Sequence, residues 1–146
     1  MLKIKRLDPR AKLPTVGHAG EDLAYDLYAI EDVTLWPGRT ILVRTGIAAH
    51  FDFPKEGRTF GLLIKDRSSM AMKNITTSAG VIDAGYREEI KVLLTMSESG
   101  KTYTIEAGDR FAQMLPTEVF TAESVIEVDD LEQSSRGVGG FGSTGA

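Results

Sequence analysis

Five short segments of this 146-residue chain carry residue types that a strand or helix would not select for packing alone. In the stretch 79–90, Asp83 sits in an Ile-Asp-Ala-Gly turn three residues before Tyr86. A carboxylate held on a tight turn can take a proton from water as a general base, and it reads equally as a turn cap. In 66–73, Arg67 is followed by Ser68 and Ser69. A guanidinium suits two-pronged phosphate contact, and serine hydroxyls with N–H groups at a helix start favour anions. The last eleven residues hold five of the chain's fifteen glycines together with Arg136, Phe141, Gly142, Ser143 and Thr144. Successive glycine N–H groups can cradle an anion, an arginine can clamp it and the ring can lie over it as an apolar lid. The same composition also reads as an unstructured end. It is not a Walker loop, because no Gly-Lys-Ser/Thr and no following helix accompany it. The remaining two segments are 24–29, with Asp26 between Tyr25 and Tyr28, and 108–113, ending in Gln113.

The elements that must position these groups read as strands. Apolar residues alternate or cluster over 2–7, 40–47, 59–64, 90–96, 102–105, 111–120 and 124–128, with turn signals such as Pro37-Gly38 and Asp109 after Gly108 between them. That rhythm predicts an all-β barrel or sandwich, with one short helical turn over 68–73 capped by Ser68. The length fits a single domain, with a body over 1–130 and a biased end over 131–146. The segment 77–83 reads as a hairpin.

Composition narrows the chemistry. There is no cysteine, which excludes thiolate chemistry, and with only two histidines the composition argues against a zinc site, so any metal is expected to be held by oxygen. A net charge of −4 argues against a nucleic-acid partner, which would require a basic face. No apolar run approaches membrane-spanning length, and residues 1–7 do not read as a signal peptide, so a cytoplasmic protein without a membrane partner is expected.

Taken together, in this order and spacing, the five segments resemble the five motifs of the trimeric dUTPases, over most of the chain from Leu13 to Gly145. The resemblance implies a jelly-roll-like β-barrel and hydrolysis of dUTP to dUMP and pyrophosphate with Mg²⁺. It also implies a homotrimer in which the tail of one subunit closes a site built by two others. It gives Asp83 the role of base and stacks Tyr86 on the deoxyribose, where no space remains for a 2′-hydroxyl. It places Arg67, Ser68, Ser69 and Gln113 on the phosphates and Asp26 on Mg²⁺ through water. Thr77, Gly80, Val81, Ile82 and Lys91 fall in the region that reads uracil, largely by main chain. Arg136 falls to the γ-phosphate, Phe141 to stacking on the base, and Gly142, Ser143 and Thr144 to phosphate contacts. Asp109 and Arg110 are expected to tie a turn.

Five positions depart from the family pattern, Ser69 among them, since glycine often follows the first serine. Asp22 offers a second carboxylate in an Ala-Gly-Glu-Asp-Leu stretch, although the neighbours of Asp26 match better. Ala24 and Glu88 stand where glycine is usual, and Asp66 precedes Arg67 where proline is frequent. A paired Asp66 and Arg67 on a surface turn is the alternative to a phosphate site there. The dCTP deaminases share the Arg-Ser-Ser and Ile-Asp-x-Gly segments but carry a glutamate where this chain has Leu93. A deaminase, a bifunctional enzyme and an inactive nucleotide-binding module are therefore the rival readings.

Overall fold

The computed structural model describes residues 1–52, 59–119 and 125–133. The arm residues Arg136, Phe141, Gly142, Ser143 and Thr144 lie outside the described residues. Among the described residues eleven strands and one short helix follow in chain order: β1 Leu2–Arg6, β2 Tyr25–Tyr28, β3 Val33–Leu35, β4 Thr40–Arg44, β5 Ile47–Phe51, β6 Phe60–Asp66, α1 Ser68–Ala71, β7 Ile75–Ser78, β8 Val81–Ile82, β9 Lys91–Met96, β10 Tyr103–Ile105 and β11 Arg110–Glu118. They form antiparallel sheets ordered β2-β11-β6-β8 and β4-β9-β7, with two-stranded ribbons β1-β5 and β10-β3.

Period two decides what is buried. On β9, Val92, Leu94 and Met96 point inward while Lys91, Leu93 and Thr95 alternate with them. Beside them in the same sheet, on β4, Val43 pairs with Val92 and is fully buried. Leu27, Ile64, Phe111 and Met114 fill the same core from the other large sheet. Burying such side chains stabilises by about 1.5–3 kcal/mol each, so the sheets that carry the polar segments rest on a packed interior.

The structure corrects four sequence expectations. The run 40–47 is two strands, because Thr45 and Gly46 turn the chain between β4 and β5. Gly46 has φ +66°, and a Cβ there would lie 2.9 Å from Cβ of Asp8 and 3.0 Å from Ala11 and Ile30. No strand forms over 125–128; Val125 and Ile126 are exposed there, and Ser124 is outside the described residues. The helix ends at Ala71, its cap position is Arg67 rather than Ser68, and no side chain bonds to the cap.

The fourth correction concerns 77–83. β7 pairs with β9, whereas β8 pairs with β6, so the segment steps from one sheet to the other instead of folding back as a hairpin. Ala79 (φ 63°) and Gly80 (φ 103°) make the step. A Cβ on Gly80 would lie 2.7 Å from the carbonyl oxygen of Ile64, whose N–H donates to Gly80 O at 2.7 Å. Only glycine permits that approach at that φ.

Candidate active site

Three of the five segments meet over the β2-β11-β6 part of the large sheet. Gln113 on β11 stands opposite Asp26 on β2 and Lys65 on β6, so the pleat aims all three at the same face. One step along, Leu115 opposes Leu63. This face floors a cleft of about 640 Å³ lined also by Asp22, Ala24, Asp66, Arg67, Ser68, Ser69 and Arg110.

Asp26 organises its centre. Its side chain is only 16% exposed; Oδ1 accepts from Nε of Arg67 at 2.8 Å and Oδ2 from Nη1 of Arg110 at 3.2 Å. Nη1 of Arg67 donates further to the Arg110 carbonyl at 3.3 Å and to Oγ of Ser69 at 3.4 Å. Two guanidiniums are thus oriented on one half-buried carboxylate, leaving other N–H groups of each for an incoming anion. A register shift between Arg110 and Ala112 puts a bulge in β11 at this point. Bulges re-aim side chains, and Arg110, opposite Tyr28, reaches back to Asp26.

Asp22 lies on the same cleft but is committed to its own turn, accepting from the His18 N–H at 2.8 Å with the His18 ring 3.5 Å away. The His18 N–H holds the Asp22 carboxyl below its usual range. Gln113 uses its amide within the fold, donating from Nε2 to the Asp66 carbonyl at 2.7 Å.

Asp66 does not pair with Arg67. Its Oδ1 accepts from both N–H and Oγ1 of Thr77, at 2.8 and 2.7 Å. These bonds, the N–H of Thr77 foremost, lower the pKa of Asp66 against a smaller opposing effect of burial. The N–H and hydroxyl donors of Thr77 are therefore both spent on Asp66, which leaves its carbonyl as the main-chain group it could offer a base. A carboxyl whose folded pKa is depressed contributes stability that is complete above the unfolded value, about 3.9 for aspartate, and is lost as pH falls through the folded one. Wild type is accordingly expected to have a higher urea midpoint than Asp66→Asn at pH 7, with the difference closing as pH drops below about 4.

The third segment stands elsewhere. Asp83 is exposed just after β8, in a turn closed by the Tyr86 N–H donating to the Asp83 carbonyl at 2.9 Å. The Tyr86 ring is anchored by its hydroxyl, which donates to the Glu89 carbonyl at 2.9 Å. Glu89 is buried against Nε of Arg44 at 3.2 Å and the Gly46 N–H at 2.9 Å, and Nζ of Lys91 lies 3.9 Å away. Glu88 is exposed, and among the described residues neither it nor Ala24 adopts positive φ, so both fit where glycine is usual.

Asp83 does not line the cleft. β8 pairs near the start of β6, where a Cβ on Gly61 would meet the Ile82 carbonyl at 2.9 Å and Ala84 N at 3.7 Å. Arg67 follows the other end of β6. Six residues of extended strand put the two ends about 20 Å apart at ~3.3 Å per residue. One chain's Asp83 and Arg67 cannot both reach a single phosphorus atom. Between them, on the outer face, Leu63 and Val81 are 36% and 71% exposed.

Lys65, Arg110 and Leu115 are cleft residues that sequence reasoning missed. Lys65 and Leu115 were legible only through strand register; Arg110 was read as a turn residue, and only the bulge turns it inward.

The dUTPase family model matches residues 10–145. The deoxyuridine 5'-triphosphate nucleotidohydrolase of Mycobacterium tuberculosis (strain ATCC 25618 / H37Rv) is 43% identical over 152 residues, covering 99% of this chain and 94% of that protein. The enzyme of the same name from Thermobifida fusca (strain YX) is 42% identical over 147 residues, covering 99% and 78%. Among solved structures, the Staphylococcus bacteriophage 80alpha dUTPase with dUPNHPP superimposes with a TM-score of 0.84 at 26% identity, covering 100% of this chain and 99% of that one. The fold is the jelly-roll-like β-barrel of those enzymes, and the chain belongs to the dUTPase family.

Proposed function

We propose that this chain hydrolyses dUTP to dUMP and pyrophosphate in a site shared between subunits of a homotrimer. The observation that carries this reading is the separation just described: the cleft holding Arg67, Asp26 and Gln113 and the turn holding Asp83 occupy opposite ends of β6. Each is half of a site, and a ring of copies in which one cleft faces the next subunit's turn completes every site. The body, 1–130, forms the barrel, and 131–146 is the arm that closes over a neighbouring site.

In the completed site the triphosphate lies in the cleft, met by Arg67, Arg110, Ser68 and Ser69. The neighbour's Asp83 orients a water and takes its proton as the water oxygen bonds to the α-phosphorus. The bond from that phosphorus to the bridging oxygen breaks in line, and pyrophosphate leaves with the bond's electrons. The anchored Tyr86 ring lies against the deoxyribose and excludes a 2′-hydroxyl, and the main chain around Gly80, Val81 and Ile82, with Lys91 beside it, reads the base.

The cleft has as many carboxylates (Asp22, Asp26, Asp66) as cations (Lys65, Arg67, Arg110), so the described residues alone do not balance a triphosphate. Arg136 of the arm and a bound Mg²⁺ ion would offset most of that charge. Mg²⁺ keeps several waters and takes one or two protein carboxylates beside phosphate oxygens. The half-buried Asp26 fits that demand through water, and the ion would neutralise triphosphate charge. Among the described residues no cluster of three or more acidic, histidine or cysteine side chains forms a cage of its own.

Pyrophosphate release measured with dUTP, dCTP, dTTP and UTP, with and without Mg²⁺, tests the reading. Release from dUTP, dependent on Mg²⁺ and about 10²-fold or more above dCTP and UTP in kcat/KM, is expected of a site that tests the polar groups of base and sugar, while dTTP, which differs only by a methyl group, is expected to be rejected by about 10–200-fold. Ammonia from dCTP would show the deaminase, and dUTP binding without release would show an inactive module.

A further inference from the structure

Asp66 is the last residue of β6 and the one before Arg67, and it is tied to two sheets at once. Its carbonyl is held by Gln113 of β11 at 2.7 Å, and its carboxylate holds the N–H and hydroxyl of Thr77 on β7 at 2.8 and 2.7 Å. β11 and β6 share one sheet, while β7 pairs with β9 in the other. The three bonds fix both the peptide and the side chain of residue 66, so Arg67 leaves the strand in a set direction, with φ −84° and ψ 144°. An arginine side chain extends far from its Cα. A rotation of roughly 15° at its root displaces the guanidinium by about 2 Å, well outside the ~0.5 Å within which a site stays productive.

We infer that Asp66 is a positioning residue of the proposed dUTP site, aiming Arg67 at the phosphates by locking the end of β6 to Thr77. The inference rests on that functional reading. Asp66 touches no phosphate in this role; it acts through Arg67. Its depressed pKa accords with a carboxylate kept ionised by the Thr77 donors. The bonds also give the departure at position 66 a use: the carboxylate is turned toward Thr77 and away from Arg67, so it does not neutralise the guanidinium that Asp26 orients.

The test is a double-mutant cycle on affinity for α,β-imido-dUTP with Mg²⁺, read by calorimetry on the full-length chain with oligomeric mass and circular dichroism as controls. Asp66→Ala is expected to weaken binding about tenfold, the loss of one or two charge-assisted bonds. Asp66→Asn, which keeps an acceptor oxygen, is expected to stay within about threefold. Arg67→Ala is expected to weaken binding more, and adding Asp66→Ala to it should cost nothing further, because the group being aimed is gone. Losses that add, or an Asp66→Ala protein that binds like wild type, would overturn the inference, since a residue acting only on fold stability adds independently. If Asp66→Ala does not fold, Thr77→Val removes one of the two bonds and enters the same cycle with an expected loss of about threefold. Wild type that neither binds the analogue nor releases pyrophosphate from dUTP would instead end the functional reading.

Discussion

Asp83→Asn is expected to slow pyrophosphate release from dUTP by about 10²–10⁴-fold, the usual contribution of a general base, while leaving the affinity for α,β-imido-dUTP near that of wild type. The asparagine keeps the size and the turn but cannot take a proton. The Asp83 side chain is exposed and the turn closes through its carbonyl, with the Tyr86 N–H as donor at 2.9 Å, so the substitution leaves the local fold its main-chain bond. Single-turnover rates and calorimetric affinities, measured on the same preparation, separate the two effects. Equal loss of binding and rate would mark Asp83 as a structural residue.

Ending the chain at Ser135 is expected to give a folded oligomer with turnover reduced by about 10²-fold or more, on the scale of losing a closing element that excludes water and completes the phosphate contacts. Among the described residues the packed core draws on positions from Ala11 to Met114 in the sequence, all before the cut, so thermal stability should change little. What is lost is Arg136, the Phe141 ring and the glycine N–H groups, on a cleft whose own charges only balance. Activity that survives the truncation would show that the site closes without the arm.

Much of this organisation was readable from residues alone, and the rest was hidden for physical reasons. Strand positions followed from period two, since Val92, Leu94 and Met96 had to share a face. Asp26, Arg67 and Gln113 were legible because each placed a polar group where a strand would take an apolar one. Strand partners were not legible: 77–83 has the turn residues of a hairpin, yet β8 pairs with β6, and that choice depends on Gly80 approaching Ile64 in space. The bulge that turns Arg110 onto Asp26 leaves no mark in the sequence. The bond from Asp66 to Thr77 spans eleven residues and two sheets, so neighbouring charge alone suggested a pairing with Arg67 that does not form.

The division of each site between chains is tested most directly by mixing two inactive variants. Arg67→Ala subunits retain Asp83, and Asp83→Asn subunits retain Arg67; unfolded together in equal amounts and refolded, they are expected to form mixed oligomers, trimers in the proposed assembly. Random mixing puts an intact Arg67 cleft beside an intact Asp83 turn in about a quarter of the sites of a cyclic trimer, so pyrophosphate release from dUTP should return to about a quarter of the wild-type rate. If both residues served within one chain, no subunit in the mixture would hold the pair and the mixture would remain as inactive as its parents.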